Sequence, residues 1–141
     1  MDTIQIYEAT KEEQRVIGLG LNEHNSSQVA FSQEPDWIAI NRCIKDCDRV
    51  VGGIIAYIYC WKILCIDILW VDPEHRNKGY ATALMNDAEN TAKEIGCRLA
   101  HLDTFDFQAK GLYEKLGYTV FGVLEDCPEG HSRYYMSKKL G

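Results

Sequence analysis

The stretch that most constrains the fold runs from Cys65 to Ala81 and has the pattern of a strand, a sharp turn and the start of a helix. The strand is apolar from Cys65 to Val71 and must end near Asp72, because Pro73 lacks the N–H group that a strand ladder needs. Apolar residues then recur at helical spacing up to Gly96, which supplies a C-terminal stop. The helical positions are Ala81, Leu84, Met85, Ala88, Ala92 and Ile95.

The turn between this strand and this helix has the chemistry of an anion site. The first N–H groups of a helix have no intrahelical partner, and the helix dipole adds partial positive charge there. Gly79 leaves the backbone open to a ligand, while Arg76 and Lys78 add formal charge. The turn therefore favours a phosphate or diphosphate. It contains neither G-x-x-x-x-G-K-[ST] nor G-x-G-x-x-G, so it is not a P-loop or a dinucleotide fingerprint.

Residues 71–81 read V-D-P-E-H-R-N-K-G-Y-A, and a second motif-like segment follows at residues 109–118. The first segment is similar to the R/Q-x-x-G-x-G/A loop of the GNAT superfamily of acyl-CoA-dependent N-acyltransferases, with Ala81 where the last glycine often stands. Residues 109–118, A-K-G-L-Y-E-K-L-G-Y, resemble its A-x-x-x-Y-E-K-x-G-F/Y segment. Two motifs in this order are more specific than either one alone, and together they cover roughly the C-terminal half of the chain.

The order of elements predicts an α+β fold that matches the GNAT architecture, a mixed, mostly antiparallel sheet of six to seven strands with about four helices. The strands before and after the helix Tyr80–Ile95 should be parallel neighbours in a central βαβ unit with a right-handed crossover. Gly52 and Gly53 indicate a bulge or a close backbone approach. Strands are expected at Thr3–Tyr7, Trp37–Ile44, Arg49–Cys60, Cys65–Val71, Arg98–Phe105, Tyr118–Leu124 and Arg133–Lys138.

Capping signals predict two further helices. Thr10 and Glu13 have the spacing of a capping box, although two glycines, Gly18 and Gly20, predict a broken or mobile segment after it. Asp106 is placed to cap a helix over Phe107–Leu116.

Length and composition favour one cytoplasmic domain over residues 1–141. The first ten residues lack a basic leader region, and no apolar run is long enough to span a bilayer. A net charge of −6 argues against nucleic-acid and membrane-surface binding and suits a cationic partner. The six cysteines form no C-x-x-C pair, so we expect reduced thiols and no metal, although Cys43 and Cys47 flank a turn that could bring them together. A homodimer is expected on fold analogy alone.

The resemblance implies an acetyl-CoA site built on the turn and on the strand before it. The diphosphate would lie on the amides from Asn77 to Ala81, and the pantetheine arm would pair with the strand edge, whose N–H groups would also stabilise the oxyanion. Gln108 belongs to a T-F-x-F-Q-A segment shared with a subgroup of the family, which also has a G-H-x-R-Y stretch like residues 130–134. The implied acetyl-CoA-binding residues are Leu69, Trp70, Val71, Arg76, Asn77, Lys78, Gly79, Tyr80, Ala81 and Gln108.

Tyr113 occupies the position of the family's tyrosine, which implies that it protonates the leaving thiolate. Its alternative is a core residue of an amphipathic helix. For the general base, Asp67 interrupts an apolar strand, where a buried carboxylate requires an explanation, and a partner on a neighbouring strand is equally compatible. Asp103, which alternates with His101 on the next strand, is the other catalytic candidate, and a satisfied polar pair is its alternative.

These features favour an N-acetyltransferase that transfers an acetyl group from acetyl-CoA to a primary amine of a small molecule or peptide. One alternative is a non-catalytic, acyl-CoA-binding regulatory module of the same fold, which would have no use for a thiolate acid. Another is an unrelated nucleotide-binding domain, for which the anion turn is the only support. The segment from Glu23 to Asp36 carries no recognisable motif, so the sequence favours no particular amine as the acceptor.

Overall fold

The computed structural model describes residues 3–141. Met1 and Asp2, the first two of the ten residues that lack a basic leader region, lie outside the described residues. The described chain divides into two compact units, one ending at Phe31 and one spanning Ser32–Gly141. The single domain expected over residues 1–141 stays a prediction. The elements are α1 (Lys11–Gln28), β1 (Trp37–Asp46), β2 (Arg49–Tyr59), β3 (Ile63–Val71), a 3-10 helix (Pro73–His75), α2 (Tyr80–Ile95), β4 (Leu99–Phe105), α3 (Lys110–Lys115), β5 (Thr119–Glu125) and β6 (Ser132–Lys139).

The first unit contains an irregular segment followed by α1. Thr10 and Glu13 form the expected capping box, in which each side chain accepts a hydrogen bond from the other residue's N–H. The helix runs unbroken through Gly18 and Gly20, because a penalty of about 1 kcal/mol per glycine is tolerated in a well-capped helix. The predicted strand at Thr3–Tyr7 is wrong: these residues are irregular, since a five-residue alternation does not make a strand unless a partner satisfies its backbone groups.

Six strands form one mixed sheet in the order β1-β2-β3-β4-β6-β5. Neighbouring strands are antiparallel except β3 and β4, which are parallel and are connected through α2. The antiparallel meander, the βαβ unit and the antiparallel closing pair are therefore confirmed, and so is the α+β class. The described residues contain three α-helices and one 3-10 helix, whereas about four helices were expected.

One face of the sheet packs against α2 and forms the core. Alternate strand residues supply the sheet side: Ile54, Ala56, Ile58, Leu64, Ile66, Ala100, Leu102 and Met136. The helix supplies Leu84, Met85, Ala88 and Ala92. Glu89 is buried with them, and its carboxylate accepts hydrogen bonds from the Tyr118 hydroxyl at 3.0 Å and from Lys138 Nζ at 2.6 Å. This packing fixes α2, and with it the turn that precedes α2, against β3.

Two irregularities shape β2 and β3. A Cβ atom on Gly53 would lie 3.0 Å from the carbonyl oxygen of Arg42, which confirms the close backbone approach expected at the paired glycines. The bulge lies further along, where Ile55 pairs with Ile68 but the next residue of β2 pairs with Ile66. Asp67 is thus an extra residue in β3. An extra residue bends the strand and reverses the face on which the following side chains lie.

Candidate active site

A cleft opens where β3 and β4 separate beyond the bulge. Within the described chain, their parallel pairing runs from Ile63 with Leu99 to Ile66 with Leu102 and ends there, although both strands continue. The cleft has a volume of about 680 Å³, which is a usual size for a small-molecule site. Every predicted site residue except Lys78 lines it, namely Asp67, Leu69, Trp70, Val71, Arg76, Asn77, Gly79, Tyr80, Ala81, Asp103, Gln108 and Tyr113.

One end of the cleft is the turn that leads into α2. Gly79 has φ +80°, a left-handed conformation that favours glycine, and a Cβ atom there would meet no heavy atom within 4 Å. The first N–H groups of α2 therefore border open space. Arg76 donates from Nε to the carbonyl of Val71 at 3.1 Å, which fixes its position over the end of β3. Lys78 is exposed outside the cleft lining, so it acts on this end only through longer-range charge.

The middle of the cleft follows the edge of β3 that faces β4. Leu69, Trp70 and Val71 pair with β2 on their other side, and no strand of the described chain pairs with this edge. An unpaired edge presents backbone N–H and C=O groups at strand spacing. Such an edge can accept an extended ligand in the manner of an added strand.

Tyr113 lies on α3 at the wall of the cleft and is 7% exposed. Burial raises the pKa of its hydroxyl to about 12, and the negative charge of Asp103 contributes to the shift. The hydroxyl therefore keeps its proton at neutral pH. Its ring contacts the ring of Tyr118 edge-on, with centroids 6.1 Å apart, so the side chain is held by the core while it borders the cleft.

Asp67 differs from its sequence expectation, because it is exposed to the cleft and not buried in a strand. The apolar run on both sides of it predicted burial, but the bulge turns this one residue out of the alternation. Within the described residues, Asp67 has no hydrogen-bond or ion-pair partner. It is therefore a free carboxylate at the mouth of the splayed strands.

Asp103 faces the cleft from β4 and forms an ion pair with Arg133, which donates to its Oδ1 from Nε at 2.9 Å and from Nη2 at 2.6 Å. This contact raises the pKa of Arg133. His101 lies outside the cleft lining and contacts the Tyr59 hydroxyl through Nε2 at 2.8 Å. Burial lowers the pKa of His101, against the opposing charge of Asp103, so its ring favours the neutral form.

The loop between β4 and α3 corrects one expectation. The carboxylate of Asp106 does not cap the helix, which begins only at Lys110. It accepts instead from the Ser132 N–H and contacts His131 Nδ1, both at 2.8 Å. The Gln108 side chain turns back and accepts from the Phe105 N–H at 2.8 Å, which leaves its amide nitrogen without a hydrogen-bond partner in the described chain.

Seven cleft-lining residues are absent from the predicted site set, and two of them, Phe107 and His75, carry an aromatic ring. Phe107 lines the cleft and stacks on Phe105 with centroids 5.2 Å apart, and its alternation with Phe105 was the available signal. His75 lines the end of the cleft formed by the turn before α2. It lies three residues after Asp72, a spacing that allows the two side chains to be in contact. Among residues 3–141, no group of three His, Cys, Asp or Glu side chains is arranged to hold a metal ion. None of the described helices is both long and apolar enough to cross a membrane.

The fold and the cleft are those expected of an acetyltransferase, and a family match shows the class. The Acetyltransferase (GNAT) family profile matches residues 4–118, and the chain belongs to this family.

Similar proteins agree with this assignment. Blasticidin-S acetyltransferase of Streptomyces morookaense is 35% identical over 93 residues, which are 65% of this chain and 68% of that protein. The 1.9 Å crystal structure of an acetyltransferase from Bacillus cereus ATCC 14579 is 35% identical, with a TM-score of 0.87 over 96% of this chain and 97% of that one. An aminoglycoside 6'-N-acetyltransferase complexed with coenzyme A is 22% identical, with a TM-score of 0.64 over 90% and 88%, a likeness of fold alone.

Proposed function

We propose that this acetyltransferase transfers the acetyl group of acetyl-CoA to a primary amine of a small molecule or peptide by direct attack in a ternary complex. The observation that carries the proposal is a single cleft in which an anion turn, an unpaired strand edge and a buried tyrosine follow one another. The diphosphate, the pantetheine arm and the thioester of the donor follow one another in the same order. Membership of the acetyltransferase family supports the same donor.

The residues at the turn fit a diphosphate. The open space beside Gly79 admits a phosphate oxygen close to the backbone, where the first N–H groups of α2 can donate to it. Arg76 supplies charge from the end of β3, and Lys78 supplies it from outside the cleft. The free edge at Leu69, Trp70 and Val71 would hold the extended arm and direct a backbone N–H toward the thioester carbonyl.

Acetyl-CoA supplies an activated acetyl thioester when bound. The acceptor ammonium first loses one proton, and the neutral nitrogen then forms a bond to the carbonyl carbon. The C–S bond breaks, and the nitrogen loses a second proton to solvent as the amide forms. In the proposal, Tyr113 donates its hydroxyl proton to the departing sulfur and regains a proton from solvent. A pKa of about 12 suits this role, because the tyrosine is the protonated partner whenever the sulfur leaves as a thiolate.

Asp67 is the proposed base, acting on the acceptor ammonium through water. A primary amine is mostly protonated at neutral pH, so a negative charge at the cleft both attracts it and receives its proton on the way to solvent. Asp103 is less suited to this role, because the guanidinium of Arg133 already pairs with its Oδ1. Of the two carboxylates proposed for catalysis, we therefore assign proton removal to Asp67 and positioning to Asp103.

A small-molecule amine is the proposed acceptor class, with peptide amines as the second. The name of the Streptomyces relative supports a small molecule, and so does a cleft of about 680 Å³. We also propose that the protein acts in the cytoplasm, where its six free cysteines would stay reduced, without nucleic-acid or membrane partners. A homodimer is a further proposal from fold analogy, which sedimentation would test.

The decisive experiment is an acceptor panel with detection of the released thiol of CoA. Blasticidin S, an aminoglycoside, a polyamine, single amino acids and a short peptide should be offered with acetyl-CoA, and at least one amine should release thiol. Thermal shift with acetyl-CoA, CoA and ATP supplies the control, because a ligand that binds only the folded protein raises Tm. Stabilisation by ATP and by neither coenzyme form would contradict the proposal. Binding without turnover on any amine would favour a regulatory module.

A further inference from the structure

His75 is a buried histidine beside the anion turn that the proposed chemistry does not use. His75 is the last residue of the 3-10 helix and is 8% exposed. Nδ1 lies 2.8 Å from Oδ2 of Asp72, and Nε2 lies 3.2 Å from Oδ2 of Asp46. Ionised carboxylates can only accept hydrogen bonds, so both ring nitrogens must donate. A ring that donates from both nitrogens is an imidazolium.

The two carboxylates belong to different parts of the sheet. Asp72 follows β3 and starts the turn, whereas Asp46 ends β1 in the β1–β2 hairpin. Arg49, at the start of β2, places Nη2 3.8 Å from Asp72 Oδ2. The charged ring of His75 therefore connects the hairpin to the turn that leads into α2. The ring also lies nearly parallel to the ring of Tyr80, the first residue of α2, with centroids 6.4 Å apart.

We propose that His75, as an imidazolium, is a positioning residue for the diphosphate of CoA, because it holds the anion turn in the conformation that aims the first N–H groups of α2 at the ligand. The inference rests on the proposed acetyl-CoA function. His75 lines the anion end of the cleft next to Arg76, so a change in its hydrogen bonding moves the residues that border the ligand.

Deprotonation would break this arrangement. A neutral ring has one unprotonated nitrogen, which would face a carboxylate with no hydrogen between them. The bonds to Asp72 and then to Asp46 raise the pKa of His75, while burial and the charge of Lys78 oppose them. Arg49 is the other charged group at this cluster. CoA should therefore bind best below the raised pKa of His75, and its affinity should fall as pH rises through that pKa.

The test measures the dissociation constant of CoA by calorimetry between pH 6 and 9 in the wild type, His75→Gln and Asp46→Asn. Glutamine can donate to only one of the two carboxylates. We expect His75→Gln to bind CoA about tenfold more weakly at pH 6, a usual size for coupling between neighbouring sites, and to lose most of the pH dependence. Comparing variants at each pH cancels the titration of the CoA phosphates. Asp46→Asn removes one cause of the raised pKa and should move the midpoint to lower pH.

The outcomes separate this inference from the function on which it rests. Equal affinity and equal pH profiles in the wild type and His75→Gln would overturn the role of His75, while CoA binding stands. Wild-type protein that binds no CoA at any pH would instead overturn the proposed function. If His75→Gln does not fold, Asp46→Asn decides, and an unshifted midpoint in that variant overturns the role. NMR titration of the His75 ring should give the same midpoint as the affinity.

Discussion

Burial raises the pKa of Tyr113 far above neutral pH. The hydroxyl has a pKa of about 12, so it remains a proton donor throughout the range in which thiolates form. The same burial places the ring in the core, where it contacts Tyr118. Core residue and acid catalyst are therefore compatible roles for this side chain, and kinetics can separate them.

Replacing Tyr113 by Phe should lower kcat by about tenfold or more, because the leaving thiolate loses its proposed proton donor, while the affinity for CoA stays unchanged. Steady-state kinetics and calorimetry on the same preparation check both parts. Tyr135→Phe is the matched control, since Tyr135 lies on β6 outside the cleft lining. An unchanged kcat in Tyr113→Phe would remove this residue from the mechanism.

The two carboxylates at the cleft should respond differently to neutralisation. Asp67→Asn removes an unpaired carboxylate and should lower kcat by about a hundredfold, a typical effect for a lost general base. Asp103→Asn removes the charge that pairs with Arg133 through Oδ1 and should act mainly on positioning, with a loss below about tenfold. The pH dependence of kcat/KM for both variants is the measurement. A larger loss in Asp103→Asn would reverse the assignment of the base.

At the scale of elements, α2 is bounded by two glycines with left-handed backbone conformations. Gly79 starts the helix with φ +80° and Gly96 ends it with φ +104°. Both substitutions by alanine impose a similar backbone strain of about 1 kcal/mol. Only the Cβ atom at residue 79 would enter the space beside the first N–H groups of the helix.

Gly79→Ala should therefore raise the dissociation constant of CoA by about tenfold or more, because a phosphate can no longer approach the backbone. Gly96→Ala is the matched control and should leave CoA affinity unchanged while it lowers stability by a similar amount. Calorimetry with CoA and urea unfolding of both variants give the comparison. Equal affinities would show that no anion lies at the start of α2.

A buried carboxylate connects α2 to β6 and to the segment before β5. Glu89 is 3% exposed and accepts from both Tyr118 and Lys138. Glu89→Gln leaves the Lys138 ammonium without a counter-charge and should cost about 2 to 3 kcal/mol of unfolding free energy. Glu94→Gln, on the exposed surface of the same helix, should change it by less than about 0.5 kcal/mol. Similar values for both in urea unfolding would contradict the importance of this network.

Local pattern was sufficient for β3, the turn and α2, because a proline, two glycines and helical periodicity lie within thirty-two residues. It was insufficient for Asp67, since a bulge is defined by the register with β2, which a single strand does not encode. It also failed for Asp106, whose partners His131 and Ser132 lie 25 and 26 residues further along the chain. Contacts of this separation depend on the assembled sheet and not on the local sequence.

At the scale of the whole molecule, the cluster of His75, Asp72 and Asp46 should make the unfolding free energy depend on pH, with a loss at both low and high pH. His75 has a raised pKa, so its contribution is complete below its ordinary value of 6.5 and is lost as pH rises through the raised pKa. Hydrogen bonding to His75 lowers the pKa values of Asp72 and Asp46, so their contribution is complete above 3.8 and is lost as pH falls through the lowered values.

The difference in unfolding free energy between the wild type and His75→Gln should therefore be largest between pH 3.8 and 6.5 and should decline on either side. Urea unfolding at a series of pH values gives this difference directly. A matched series on His24→Gln, an exposed histidine of α1 without a carboxylate partner in the described chain, should show no such window. A flat difference for His75→Gln would mean that the ring is not charged in the folded protein.

The bare edge of β3 from Asp67 to Val71 also has a consequence outside catalysis. Peptide groups that would hold the arm of the proposed donor could equally pair with the same edge of another copy, as unprotected strands do. If acetyl-CoA binds there as proposed, it would cover this edge. The enzyme would then be most prone to aggregate when its donor is scarce, so its solubility would follow the metabolic supply of acetyl groups.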